Sequence, residues 1–214
     1  GSALAADGAA ALAFVNTLLA PAATLTAWMM LDLLRTGRPT AVGAATGIVV
    51  GLVAVTPAAG FVSPMGAIGL GALAAFPSYF AILWRSRTRL DDSLDVVAAH
   101  GLGGVVGALL TGVFAQKAWG GTSGLMEGNP GQLLAQLAAV GATVAWSGVA
   151  SFGILKLIDR LVGLRVDDRS EGRGLDRELH AEEAYASDEG AILVLEEALT
   201  QRSVGEPLAD TNSL

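Results

Sequence analysis

One histidine stands inside a long apolar, glycine-rich stretch of this 214-residue chain. Residues 90–112 read LDDSLDVVAAHGLGGVVGALLTG, with His100 in the apolar run that follows three aspartates. A neutral imidazole at such a position donates or accepts one hydrogen bond to a small polar substrate, or relays a proton near neutral pH. The alternative is a buried histidine satisfied by a neighbouring helix. Because ionisable side chains are costly at membrane depth, the pattern favours a functional role.

Three carboxylates lie where this apolar run begins. Asp91, Asp92 and Asp95 suit the N-terminus of a helix, where carboxylates accept from unpaired backbone N–H groups and meet the positive end of the helix dipole. Asp95 is placed where it can cap the helix. Asp91 and Asp92 are placed to play the same local role, or to pair with Arg85, Arg87 and Arg89. Orientation of the helix, not catalysis, is the expected role of all three.

The composition is that of a membrane protein. Hydrophobic residues make up 52% of the chain, charged residues only 15%, and 28 residues are glycine, with a mean hydropathy of +0.55. Soluble domains carry about 25% charged residues. The chain has no cysteine, and it shows no P-loop, zinc-ligand spacing or nucleophile triad. We therefore expect no enzyme, no cofactor, no metal site and no nucleic-acid partner.

Five apolar segments approach the length of about 20 residues that a membrane helix needs. The predicted fold is an all-α membrane domain over residues 1–164, followed by an acidic tail over residues 165–214. The tail carries 5 basic and 13 acidic residues, and we expect it to be largely flexible. The predicted helices cover approximately residues 8–31, 41–58, 64–84, 96–115 and 132–159.

Loop charges predict the orientation in the membrane. Arginines follow the first and third segments, and basic residues cluster at the end of the fifth, whereas the two intervening loops carry only Lys117. The positive-inside rule places the basic loops and the tail in the cytoplasm, so the first segment starts outside. Since the chain shows no signal peptide, this topology also suggests a fragment that lacks an upstream membrane segment.

Other polar and aromatic residues receive structural interpretations. Asn16, inside the first segment, is expected to form a hydrogen bond between helices. Trp28 and Trp84 lie near the predicted membrane interfaces, where tryptophan is enriched, so we expect them in the aromatic belts.

Several stretches together resemble the ammonium transporter (Amt/Rhesus) family. The similarity extends in the expected order over roughly residues 1–187, and the combination is highly specific although no single stretch is. The matching stretches are residues 91–115, ALAFVNT at 11–17, GLVAVTPAAGF at 51–61, ILKLID at 154–159, and the tail motifs at 162–166, 174–176 and 180–185.

The resemblance implies an eleven-helix fold of two inverted repeats and a final long helix, assembled as a homotrimer in the cell (plasma or inner) membrane. This chain matches the part after the sixth helix. His100 matches the second of two stacked pore histidines, Val96 an apolar pore-lining position, and Ser2 a serine of the outer recruitment site. The tail residues that match the family's cytoplasmic end are Gly163, Arg165, Gly174, Asp176, His180 and Tyr185, which the resemblance assigns to regulation.

The implied function is transport of ammonium or ammonia, with methylammonium as an analogue, through a hydrophobic pore in the lipid bilayer. A second interpretation is a membrane ammonium sensor whose tail binds a PII-type signalling protein. A third is an inert truncated fragment. Two departures from the family stand out: Pro21 follows Asn16-Thr17 where the family often repeats Asn-Thr, and it is expected to kink that helix. Ala181 replaces the glycine usual after the tail histidine.

Overall fold

The computed structural model describes residue 3 and residues 5–182, and every regular element in that part of the chain is helical. The chain divides into two compact units, Gly1–Ala150 and Ser151–Leu214. The elements in chain order are α1 (Gly8–Thr36), α2 (Ala41–Val55), α3 (Pro64–Arg85), a π-helical turn (Val97–Leu102), α4 (Gly103–Phe114), α5 (Lys117–Gly120), a 3₁₀ turn (Leu125–Glu127), α6 (Pro130–Leu161), α7 (Asp168–Arg173) and α8 (Leu175–His180).

Within the described residues, four stretches of helix are long and apolar enough to cross a bilayer: Gly8–Thr36, Pro64–Arg85, Val97–Phe114 and Pro130–Leu161. The fifth apolar helix, α2, has only 15 residues. This helix stops at Val55, and turns fill residues 56–62 around Pro57. Proline favours such an end because it cannot donate a backbone hydrogen bond to the preceding turn.

The first helix is longer than its apolar segment because its end is capped at a glycine. Asp7 accepts from the backbone N–H groups of Ala9 and Ala10 at the start. At the end, Gly37 adopts the left-handed conformation (φ 74°) that closes helices. Pro21 lies inside α1 and is buried, and the helical assignment continues through it.

Glycines bring the helices of the first unit into backbone contact. A Cβ atom on Gly71 of α3 would overlap the backbone of Ala20 in α1, and one on Gly107 of α4 would overlap the backbone of Ala54 in α2. The core around these contacts consists largely of small residues, with Leu70 among the few large side chains that are fully buried. Small-residue packing of this kind lets dispersion forces hold membrane helices together.

The loop between α4 and α6 folds against the turn between α2 and α3. Gln116 donates its backbone N–H to the carbonyl of Phe61 at 2.9 Å. The Glu127 carboxylate accepts from the backbone N–H of Lys117 at 2.9 Å, and the N–H of Gly124 donates to the carbonyl of Ala115. These bonds fix the loop at the membrane end opposite the basic loops.

The longest helix differs from the other apolar helices, since none of the 32 residues of α6 is buried. In the first unit its start contacts α4, where a Cβ on Gly112 would lie 3.0 Å from Leu133. The second unit contains the end of α6 with α7 and α8, and its described residues are almost all exposed.

Candidate functional site around His100

His100 lies in the π-helical turn and faces away from the core. Its neighbours Ala98 and Ala99 are buried, with 4% and 3% exposure, whereas His100 and Gly101 are exposed. Among the residues that the structure describes, none forms a hydrogen bond with the imidazole. A π-helical turn is rare and often marks a functional site. The histidine is therefore presented on a surface, and it is not a core residue satisfied by a neighbour.

The surface beside His100 is apolar. Val96, directly before the π-helical turn, is 47% exposed, and Val97 is 72% exposed. An imidazole among such side chains has few competing hydrogen-bond partners, so a small polar molecule at this face would meet the ring nitrogens first.

The aspartate that caps the helix is not the one expected from the sequence. Asp92, not Asp95, caps the helix: its carboxylate accepts from the N–H groups of Val96 and Val97, both at 2.9 Å. Asp95 instead forms an ion pair with Arg85, with 2.7 Å between Nε and Oδ1. The difference arises because Asp95 adopts a left-handed conformation (φ 53°), which is unlike the extended backbone of a capping residue.

Asp91 lies at the mouth of a groove of about 520 Å³ between the end of α3 and the π-helical turn. Trp84, Arg85, Asp92 and Val97 line the same groove, whose walls are otherwise apolar. Asp91, Asp92 and Arg85 thus line one groove, and Asp95 joins them through its ion pair with Arg85.

Ser2, the predicted outer-site residue, lies outside the described residues. Its neighbour Ala3 lines two adjoining grooves of about 470 and 380 Å³, together with Ala13 and Thr56. The first of these grooves is also lined by Trp119 of the loop between α4 and α6.

Three buried polar side chains of α1, those of Asn16, Thr24 and Asp32, have hydrogen-bond partners within the bundle, whereas the buried Ser78 hydroxyl of α3 has none among the described residues. The Asn16 amide donates to the carbonyls of Ala59 and Val62, both at 2.8 Å, which is the interhelical bond expected of it. The Thr24 hydroxyl lies 2.8 Å from the carbonyl of Gly71 and 2.9 Å from that of Ala20. These residues hold helices together and leave no group exposed for a substrate.

A buried carboxylate, Asp32, is the residue that sequence reasoning missed. The Tyr79 hydroxyl donates to it at 3.0 Å, and the backbone N–H and hydroxyl of Thr40 lie within 3.3 Å. Trp28, expected in an aromatic belt, is only 3% exposed and packs edge-on against the Tyr79 ring. The signal that could have indicated it is an acidic residue inside a helix long enough to span the membrane.

The tail residues form two short exposed helices. Asp167 caps α7, and the N–H of Ser170, with the Ser170 hydroxyl, holds the pKa of the Asp167 carboxyl below its ordinary value. Arg165 pairs with Glu171 through two hydrogen bonds of 3.0 Å, and Arg173 pairs with Glu178 at 2.8 Å.

Glycines and one alanine end the tail elements. Gly163 and Gly174 adopt positive φ angles of 80° and 98°, and Ala181 closes α8 in the left-handed conformation. Asp176 and His180 lie on α8, while Tyr185 falls outside the described residues. The glycine that the family resemblance implies at position 181 would adopt this conformation without the cost that alanine incurs.

Fold and site together define a polytopic α-helical membrane protein with an exposed histidine in an apolar helix. The family model described as the Ammonium Transporter Family matches residues 1–185, and the chain belongs to this family. The family is one of transporters, not enzymes. The resemblance seen in the sequence and the all-α membrane fold are confirmed.

Relatives and solved structures agree with this assignment. The ammonium transporter of Aquifex aeolicus is 48% identical over 186 residues, which are 86% of this chain and 44% of that protein. The crystal structure of Saccharomyces cerevisiae Mep2 matches with a TM-score of 0.70 at 33% identity, covering 75% of this chain and 38% of the other. A structure titled Sensor Amt Protein matches with a TM-score of 0.73 at 28% identity, covering 83% and 44%. The chain spans less than half the length of these relatives.

Proposed function

We propose that this chain forms part of an ammonium transport pathway in which His100 lines a hydrophobic pore. The observation that carries the proposal is the exposed imidazole on an otherwise apolar membrane helix, without a hydrogen-bond partner in the described part of the chain. Membership of the ammonium transporter family supports ammonium, or ammonia, as the substrate.

Solvation explains why a histidine suits this task. A bare cation in a medium of low dielectric constant is prohibitively costly, so neutral ammonia passes more easily if its proton travels separately. An imidazole offers one acceptor and one donor without adding a permanent charge. Val96, exposed on the same helix, keeps the path apolar next to the ring.

The proposed pathway has further elements at its outer end and in the cytoplasm. The family resemblance assigns Ser2 to recruitment of ammonium at the outer end. The basic loops and the tail face the cytoplasm, the membrane domain covers residues 1–164, and the tail covers residues 165–214. The absence of any buried residue in α6 supports a partial transporter that packs against further helices and assembles as a homotrimer.

Replacement of His100 with alanine tests the proposal. The variant is made in the full natural polypeptide that contains this sequence and is expressed in cells lacking other ammonium uptake. We expect methylammonium uptake to fall about tenfold or more, as for loss of a positioned proton-transfer group. Met126→Ala, at an exposed position of the loop between α4 and α6, serves as the control for loss of an exposed side chain. Normal uptake and selectivity in His100→Ala would refute the proposed pore.

A sensor is the second candidate function. Two observations favour it: the match to a solved sensor protein, and the ordered ion pairs of Arg165 and Arg173 in the tail. In this version the tail binds a PII-type signalling protein. Removal of residues 165–214 should then abolish capture of a purified PII-type protein on membranes while methylammonium uptake continues. Unchanged capture would exclude the tail as the docking element.

A further inference from the structure

Asp95 occupies an unusual backbone conformation at the entrance to the helix that carries His100. In the described part of the chain, only Asp95 and Ala181 combine a side chain with a positive φ angle. A positive φ angle costs aspartate less than it costs most other residues, but it is still unfavourable. Something must therefore hold Asp95 in place.

The ion pair with Arg85 supplies that restraint. Arg85 is the last residue of α3, and its Nε lies 2.7 Å from Oδ1 of Asp95. The backbone of Asp95 is bonded as well, since its N–H donates to the carbonyl of Asp92 and its carbonyl accepts from the N–H of Ala99. The end of α3 is thereby connected to the first turn of the next helix.

This connection acts on the register of the π-helical turn. The Ala99 N–H, which lies within the wider turn of Val97–Leu102, donates to the carbonyl of Asp95, and His100 lies five residues after Asp95. A π-helical turn competes with the ordinary α-helical register, in which the side chains of the same residues point in other directions. The conformation at Asp95 therefore determines which register the turn adopts and where His100 points.

We propose that Arg85 and Asp95 are a positioning pair that holds His100 toward the substrate path. The inference rests on the proposed role of His100 as a pore residue. Neither member of the pair touches substrate in this assignment. Both side chains are about one quarter exposed, at 25% and 24%, so the pair contributes little to global stability. Its effect is expected in the orientation of the helix.

Four variants in the full natural polypeptide separate the ion pair from the backbone conformation. Asp95→Gly keeps the left-handed conformation and removes the carboxylate, whereas Asp95→Ala removes both. Arg85→Ala removes only the guanidinium, and Arg87→Ala is the matched control, an exposed arginine of the same loop. We expect the first three to lower maximal methylammonium uptake about tenfold, at an unchanged half-saturating concentration, by reducing the population of competent protein.

The conservative variant Arg85→Lys should restore part of the lost uptake, because it keeps the charge. Normal uptake in Asp95→Gly and Arg85→Ala, with a loss in Asp95→Ala alone, would show that only the backbone conformation matters and would overturn the ion-pair role. His100→Ala is measured in the same series. If it transports normally, the pore proposal fails; if it does not while Asp95→Gly and Arg85→Ala do, only the positioning inference fails.

Chemical modification distinguishes positioning from a general loss of structure. Diethyl pyrocarbonate modifies accessible imidazoles, and peptide mass spectrometry reports the rate at His100 with His180 of the tail as internal reference. We expect Arg85→Ala to change the rate at His100 several-fold and to leave His180 unchanged, as the exposed tail is independent of the pair. An unaltered rate at His100 in a variant with reduced uptake would overturn the inference.

Discussion

Polar residues in two regions of the membrane unit behave in opposite ways. In α1–α3, Asn16, Thr24 and Asp32 are buried and bonded to backbone or side-chain groups of neighbouring helices. On the π-helical turn, His100 is exposed and has no hydrogen-bond partner in the described part of the chain. A polar residue at membrane depth is therefore not functional by type alone. What distinguishes the candidate is that its side chain is exposed as well as unbonded, since the unbonded Ser78 hydroxyl of α3 is fully buried.

The test of this contrast with the largest expected effect uses two glycines on opposite sides of the helix that carries His100. Gly107→Ala should lose most of the folded protein, since the new Cβ would overlap the backbone of Ala54, and overpacking costs about 1–3 kcal/mol or more. Gly101→Ala, where nothing lies within 4 Å, should fold normally. Size-exclusion chromatography in detergent after a heating series measures both. Equal losses of folded protein in the two variants would contradict the description of the Gly107 side as packed and of the Gly101 side as open.

Asn16→Ala is expected to have the next largest effect. It leaves the carbonyls of Ala59 and Val62 without their buried donor, at a cost of roughly 1–3 kcal/mol for an unsatisfied group. Thr17→Val is the matched control, because the Thr17 hydroxyl bonds only to Ala13 of its own helix. The midpoint of thermal unfolding in detergent should fall clearly in the first variant and little in the second. A similar decrease in both would assign the effect to the helix, not to the bond.

Ala181→Gly extends the comparison to the exposed tail. Glycine removes a left-handed penalty of about 1 kcal/mol, so α8 should become more stable while the membrane unit is unaffected. Amide hydrogen exchange over residues 175–182 should slow in this variant. Ala181→Ser is the control that gains nothing. Faster exchange in the glycine variant would mean that α8 does not end in the conformation described.

The smallest expected change is in the stability of His100→Ala. An exposed side chain without a bond should alter the free energy of unfolding by no more than about 0.5 kcal/mol. The same thermal assay, applied to protein whose uptake has been measured, checks this value. A large loss of stability would place His100 among the structural polar residues and remove the contrast from which its function is inferred.

Part of this arrangement could be predicted from the sequence. Hydropathy gave the positions of the apolar helices, and the depth of Asn16 in an apolar segment gave its interhelical bond. The bond between Asp32 and Tyr79 could not be predicted, because it joins residues 47 positions apart whose contact depends on how α1 and α3 pack. For the same reason Trp28 was placed in an aromatic belt and is instead buried against Tyr79.

Within the candidate site, sequence reasoning found the residues and not their geometry. Aspartates at a helix start predict a cap, but which of them caps depends on the left-handed conformation of Asp95. That conformation depends in turn on Arg85, which belongs to another helix. The π-helical turn has no signature in residue type, since the stretch VAAHGL would suit an ordinary α-helix equally well.

The length of α6 has a consequence for the lipid around it. Thirty-two helical residues extend about 48 Å, whereas the hydrocarbon core is about 30 Å thick. A helix of this length must tilt or project beyond the hydrocarbon, and a change in lipid chain length alters the balance between the two. Because α6 leads directly to residues 162–182, the thickness of the bilayer affects the distance between the tail and the lipid headgroups.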